Sequence, residues 1–149
     1  PEGTAQGFAI SDSFGTIVAE VAQVSVSKRG EVNVEKIVCA LDCGNTINPL
    51  IIEHQVESCI AYGLSAALYG EITLKDGRVE QSNFDDYPIM KLGEMPEVET
   101  HFALSGGDKW GGIAGSMPGA QAAVANDIFR VTGKRIRSMP FKHYDLSWG

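Results

Sequence analysis

Residues 14–26, Phe14-Gly15-Thr16-Ile17-Val18-Ala19-Glu20-Val21-Ala22-Gln23-Val24-Ser25-Val26, are rich in β-branched side chains and partly alternate apolar with polar. That period predicts a half-buried strand. Lys28-Arg29-Gly30-Glu31 interrupts it as a turn, and Val32 to Leu41 returns as a second strand with Val32, Val34, Ile37 and Val38 apolar. The two are expected to form a β-hairpin. Beyond the tight glycine turn of Leu41-Asp42-Cys43-Gly44 the period becomes helical: Ile52, Val56, Ile60, Leu64 and Ala67 mark one core stripe of a helix over 49–69. Asn48 offers a side-chain oxygen to its free N–H groups, and Pro49 suits its first position. Gln55, Ser58, Cys59 and Tyr62 lie on another face. Gln55 is expected as a buried amide in need of partners. The small residues Ala61, Gly63, Ser65, Ala66 and Ala67 require that something pack very close.

A second hairpin is predicted from Glu71-Ile72-Thr73-Leu74, the turn Asp76-Gly77, and Arg78-Val79-Glu80, since Asp-Gly between alternating runs signals a type I′ turn. Residues 83–95, which contain Tyr87-Pro88 and end at Met95-Pro96, read as an irregular connector. Val98 to Leu104 is a further strand. Residues 105–119 form a loop with six glycines, a helix runs from Ala120 to Thr132 and stops at Gly133, and Ile136 to Phe141 is a last short strand. Residues 1–149 make a single domain of α+β class: β-hairpins in a mixed sheet with two main helices packed on it. The regular βαβ period of a Rossmann fold is absent.

Composition narrows the function classes. A net charge of −7 and a pI near 4.9 argue against a nucleic-acid role, which needs a basic face. The late cluster Lys134, Arg135 and Arg137 reads as a solvated strand end. No apolar run approaches the ~18 residues of a membrane span, and Pro1-Glu2-Gly3-Thr4 is not a signal peptide. Compartment therefore stays unread, with bacterial cytoplasm and periplasm both open. Cys39, Cys43 and Cys59 make no disulfide framework. Cys39 and Cys43 would sit ~13 Å apart on an extended strand, too far to share a zinc ion, so buried thiols are expected.

Little in the residues announces catalysis. The glycine loop before the second helix could bring backbone N–H groups and a helix N-terminus to an anion, or be a plain surface loop; it lacks the Lys-Ser/Thr ending of a P-loop. His54, His101 and His143 are scattered. Ser65 is not in a nucleophile elbow, and Asp85-Asp86 read as solvated.

Several motifs together point further. Phe14 to Ala22, Leu41-Asp42-Cys43-Gly44 with Asn48-Pro49, Gln55-Val56-Glu57, Gly63-Leu64-Ser65-Ala66-Ala67-Leu68-Tyr69-Gly70-Glu71-Ile72, Ala123-Val124-Ala125-Asn126 with Ile128-Phe129, and Thr132 to Arg137 resemble the C-terminal part of the molybdopterin-binding subunit of the xanthine oxidase family of molybdenum hydroxylases. The resemblance is to the isoquinoline 1-oxidoreductase and aldehyde oxidoreductase branch. It implies a fragment of a larger molybdopterin-binding domain. It also implies hydroxylation of an aldehyde or N-heteroaromatic carbon with oxygen from water, a molybdopterin cytosine dinucleotide carrying molybdenum, and a partner subunit with [2Fe–2S] clusters. The other segment of the molybdopterin subunit would be a second partner. An exposed strand edge would favour such association, or self-association.

Two family motifs touch the active site in this region, and both are altered. The glutamine of Gln-x-Glu-Gly-Gly, which contacts the cofactor, corresponds to Gln55, but Ser58 and Cys59 replace the paired glycines. In the loop that carries the family's base glutamate, Gly115, Ser116 and Met117 are the equivalents, and no Asp or Glu occurs between Asp108 and Asp127. The expectation is that Gln55, Ser58, Cys59, Gly115 and Ser116 border the cofactor and that no catalytic residue or metal ligand is supplied. A chain that is inactive alone and a non-catalytic scaffold or assembly relative both remain open. Loss of a general base typically slows turnover by ~10²–10⁴-fold.

Overall fold

The computed structural model describes residues 2–113 and 119–149. Strands β1 (Thr4–Ser13), β2 (Thr16–Val26) and β3 (Val32–Asp42) run as an antiparallel meander. Helix α1 (Pro49–Leu68) follows, then a two-stranded ribbon of β4 (Leu74–Lys75) and β5 (Arg78–Val79). Strand β6 (Glu97–Phe102) then joins β3 in parallel, and α2 (Gly119–Thr132) completes the order. The sheet is β1-β2-β3-β6, mixed because α1 and the segment after it carry the chain back before β6 starts.

The β2–β3 hairpin and both helices fall where the hydrophobic pattern puts them. Asn48 caps α1 by accepting from the Ile51 N–H at 3.3 Å. The Asp76-Gly77 turn has φ of +51° and +75°, the left-handed pair of a type I′ connection. Two elements differ from expectation. Strand β1 was not foreseen: its inward positions hold Gly7 and Ala9, its apolar Phe8 and Ile10 point outward, and the usual apolar-inward signature is missing. Residues 136–141 do not form a strand. The Tyr144 hydroxyl accepts from the N–H groups of Arg137 and Ser138, at 3.0 Å each, where a ladder would have bonded them. Ile136 and Phe141 are still buried, and a 3₁₀ turn spans Phe141–His143.

Both helices lie on one face of the sheet. The layer between contains Val18, Ala22, Val24, Ile37, Cys39 and Leu41 from the strands. Facing them are Val56, Ile60 and Leu64 from α1 and Ala123, Val124 and Ile128 from α2. Helix α2 sits so near β1 that a Cβ at Gly7 would collide with the Ala123 carbonyl and the Asp127 N–H. The same helix closes the sheet edge: Asn126 Nδ2 donates to Phe8 O and Arg130 Nη1 to Gln6 O, each at 3.0 Å. The β1 edge is thus blunted rather than left open for strand pairing.

Residues 71–96 form an arm with Ile72, Leu74, Val79, Phe84, Ile89 and Leu92 exposed. Among the described residues no helix is long and apolar enough to cross a membrane.

Candidate functional site

The motif after β3 acts first as a latch. Asp42 Oδ1 accepts from Gly44 N at 2.8 Å and Ser105 N at 3.0 Å, and its Oδ2 from Lys109 Nζ at 3.0 Å. These donors hold its carboxyl well below the usual carboxylate range, with the Ser105 N–H the largest cause. Asn45 Nδ2 donates to the carbonyls of Gly107 and Lys109. Gly44, at φ +84°, pairs with Trp110, and a Cβ there would strike the Lys109 carbonyl. The turn that opens α1 thereby fixes the glycine-rich segment 105–111. Asp42 and Asn45 make these internal bonds.

Helix α1 presents the second component. Gln55, Cys59 and Gly63 recur every four residues and share one flank. Gly63 faces α2, where a Cβ would lie 2.8 Å from Gln121 Nε2. The flank therefore runs along the start of α2. Gln55 is exposed, which corrects the expectation of a buried amide: it lies two turns before Gly63, where α2 makes its close approach. Ser58 is exposed and Cys59 half-buried, and burial first, then the Glu20 carboxylate, pushes the Cys59 thiol up.

Glu20 is a buried charge near the start of α2 that sequence reasoning missed. It is fully buried, and neither carboxyl oxygen has a hydrogen-bond partner among the described residues. Burial raises its pKa from 4.5 to about 7. A Cβ at Gly119, the first residue of α2, would collide with its Oε2. Its strand partner is Cys39, whose buried thiol is pushed up to about 12 by desolvation. The signal was available: Glu20 takes an inward position between Val18 and Ala22 in a strand whose other inward residues are neutral.

Gly115, Ser116 and Met117 lie outside the described residues. A cavity of about 320 Å³ is bordered by Cys43, Thr46, Ile52, Trp110 and Ile113. Thr46 Oγ1, beside it, is buried without a partner among the described residues.

The remaining candidates resolve into structural contacts. His101 pairs with Glu99 at 2.8 Å and His143 with Glu71 at 2.7 Å, while His54 is exposed. Asp86 closes a turn by accepting from Ser82 and Asn83 N–H groups. Lys134 reaches the Ser147 carbonyl, and Arg135 stacks on Phe129 with its guanidinium 3.6 Å from the ring centre. Cys39 and Cys43 are both buried free thiols. Among the described residues no group of three or more His, Cys, Asp or Glu side chains could hold a metal.

Comparison with known proteins gives this arrangement a context. Residues 2–96 match the family described as the molybdopterin cofactor-binding domain. The chain is 31% identical, over 94% of its length, to the beta chain of isoquinoline 1-oxidoreductase from Brevundimonas diminuta. It is 33% identical, over 82% of its length, to a nicotinate dehydrogenase subunit from Pseudomonas putida. It spans only 18% and 10% of those relatives. The fold superposes on quinoline 2-oxidoreductase from Pseudomonas putida 86 with a TM-score of 0.75 at 23% identity, covering 84% of this chain and 17% of that one.

Proposed function

Because this chain belongs to the molybdopterin cofactor-binding domain family, we propose that it forms the sheet-and-helix portion of a molybdenum hydroxylase. In this reading it works in a complex with the other segment of the molybdopterin subunit and a [2Fe–2S] subunit. The substrate class is an aldehyde or an N-heteroaromatic, the latter supported by the isoquinoline and nicotinate relatives. The cofactor is the cytosine dinucleotide form of molybdopterin.

The observation that carries the reading is the α1 flank. Gln55 projects an exposed amide that makes no hydrogen bond among the described residues, from a helix whose stripe of Ile52, Val56, Ile60 and Leu64 is buried. Such an amide can donate and accept toward one polar ligand at once, so it fits a pterin edge. Ser58, also exposed, adds a hydroxyl beside it, and Cys59 a thiol one turn on; Gly115 and Ser116, the other positions the family motifs assign to the cofactor, lie outside the described residues. When bound, the cofactor supplies the oxidation by which oxygen from water enters the substrate. This chain's residues bind and orient it. The stretch that corresponds to the family's base loop brings no carboxylate: between Asp108 and Asp127 the sequence has neither Asp nor Glu. In a complex that turns over, the base comes from outside this loop.

That same absence favours a second reading, in which the chain is a non-catalytic scaffold within such a complex. Purifying the assembly through a tag on this chain, then assaying molybdenum, cytosine nucleotide and turnover, separates the two. Cofactor with turnover supports the first reading, and cofactor with turnover ~10²–10⁴-fold below a hydroxylase with its own base supports the second. An assembly without molybdenum or pterin overturns both.

A further inference from the structure

A groove of about 410 Å³ runs between the start of α2 and the segment 136–141. The function proposed above does not use it. Its walls are apolar, with Ala125 from α2, Met139, and the buried Ile136 and Phe141. Two polar side chains line it as well. Gln121 does so from the first turn of α2, and its Oε1 is buried without a hydrogen-bond partner among the described residues. The amide is held against α1, where even a Cβ on Gly63 would come within 2.8 Å of its Nε2. Arg137 lines the groove from the 136–141 segment. Its neighbours in the basic cluster are engaged in the fold: Lys134 Nζ donates to the Ser147 carbonyl, and Arg135 donates to Asn126 Oδ1 at 2.9 Å while stacked on Phe129. The Arg137 guanidinium has no ion pair or side-chain hydrogen bond among the described residues. Its backbone is nevertheless fixed, because the Tyr144 hydroxyl accepts from the N–H groups of Arg137 and Ser138.

We propose that this groove binds a small aromatic carboxylate that carries one hydrogen-bond donor, a hydroxyl or a ring N–H. The carboxylate pairs with the Arg137 guanidinium, whose fork matches two carboxylate oxygens. The donor reaches Gln121 Oε1 and satisfies an acceptor that is otherwise buried unpaired. The ring displaces water from Ile136, Met139 and Phe141. Largely apolar walls with a few placed polar groups, in a volume of this order, are the ordinary form of a small-molecule site. Other ligand classes fit less well. A phosphate ester carries close to two charges at neutral pH, and among the described residues Arg137 is the one cation in the lining. A plain hydrocarbon leaves both polar groups without a partner. The groove involves neither Gln55 nor Ser58, so the proposal stands or falls independently of cofactor binding on α1.

The test is a titration of the full chain with meta- and para-hydroxybenzoate, followed by two-dimensional NMR. At least one of them should give saturable shifts at Ala125, Ile136 and Met139, with a dissociation constant of about 1 mM or tighter. Arg137→Gln should weaken that binding by roughly tenfold. Lys75→Gln, which removes an equal charge from the β4–β5 ribbon, should leave it unchanged. Benzoate, which lacks the donor, should bind wild type roughly threefold more weakly, and Gln121→Met should abolish that difference. Arg137 is exposed, so its variant should melt with wild type. The matching hydroxybenzyl alcohol puts the same question without altering the chain: lacking the charge, it should bind roughly tenfold more weakly than the acid. Absence of saturation by about 10 mM overturns the proposal. So do equal binding of acid and alcohol, a hydroxyl preference that survives Gln121→Met, and a loss with Lys75→Gln as large as that with Arg137→Gln.

Discussion

Asp127 Oδ2 accepts a hydrogen bond of 2.8 Å from the Val24 N–H, joining α2 to the middle of β2 at a break in the ladder. Gln23 pairs with Lys36 and Val24 with Val34, so Glu35 is an extra residue on β3. Such a bulge leaves a backbone group without its ladder partner. The carboxylate from α2 supplies the missing acceptor, inside a layer that water does not reach.

Replacing Asp127 with Ala should therefore leave a buried N–H unsatisfied and lower stability by about 1–3 kcal/mol. Asp127→Asn keeps an oxygen for Val24 and should retain most of that. Urea unfolding at pH 7.5 measures the loss, and amide exchange at Val24 locates it. An Ala variant as stable as wild type would mean that the contact carries no net energy.

Glu20 makes stability depend on pH in a defined direction. Its folded pKa of about 7 lies above the ordinary 4.5, so the folded state binds the proton more tightly than the unfolded chain. Its contribution is therefore greatest below about pH 4.5, declines as pH rises to about 7, and then levels off. The gap corresponds to about 3 kcal/mol. Asp127, raised to about 6 chiefly by burial, acts in the same direction. Glu20→Gln should flatten much of the decline between pH 5 and pH 8 and be the more stable protein at pH 8. Thermal melts across that range decide it: an unchanged slope removes Glu20 as the titrating group.

The hairpin, both helices and the type I′ turn were legible because each depends on local signals: alternation, an Asn-Pro start, Asp-Gly, a stop at Gly133. What was not legible depends on tertiary context. Strand β1 turns Phe8 and Ile10 outward and keeps Gly7 inward for α2, reversing the pattern by which a strand is recognised. The 136–141 segment has strand-like residues, but the Tyr144 hydroxyl takes two of its N–H groups. Gln55 was identified through its motif, yet its exposure could not be read from helical spacing. That spacing gives the angle around α1 and not the point at which α2 stops covering it. Glu20 could have been singled out as a charge at an inward strand position.

The Asn45 amide bonds two carbonyls of the glycine-rich segment, Gly107 at 2.9 Å and Lys109 at 2.8 Å. Asn45→Ala removes both while leaving Asp42 and its donors in place. Segment 105–111 should then exchange its amide protons faster, by roughly tenfold for a local loss of about 1.4 kcal/mol, with little change in the global melt. Hydrogen exchange resolved to this segment is the measurement, and unaltered rates would show that Asp42 alone holds it.

Gln55 allows cofactor contact to be separated from folding. It is exposed and unbonded among the described residues, so Gln55→Ala should shift stability by no more than about 0.5 kcal/mol. Val56, its neighbour in sequence, is fully buried, and Val56→Ala should destabilise by about 1–3 kcal/mol. If Gln55 holds the pterin, the assembled complex carrying Gln55→Ala should contain less molybdenum and cytosine nucleotide per chain at unchanged melting temperature. Ser58→Gly and Cys59→Gly, which restore the small residues of the related motif, should leave cofactor content equal or higher. Metal analysis and nucleotide release on the same preparations read both effects. Full cofactor content in the Gln55→Ala complex would make this amide a solvated side chain and move the contact elsewhere on the α1 flank.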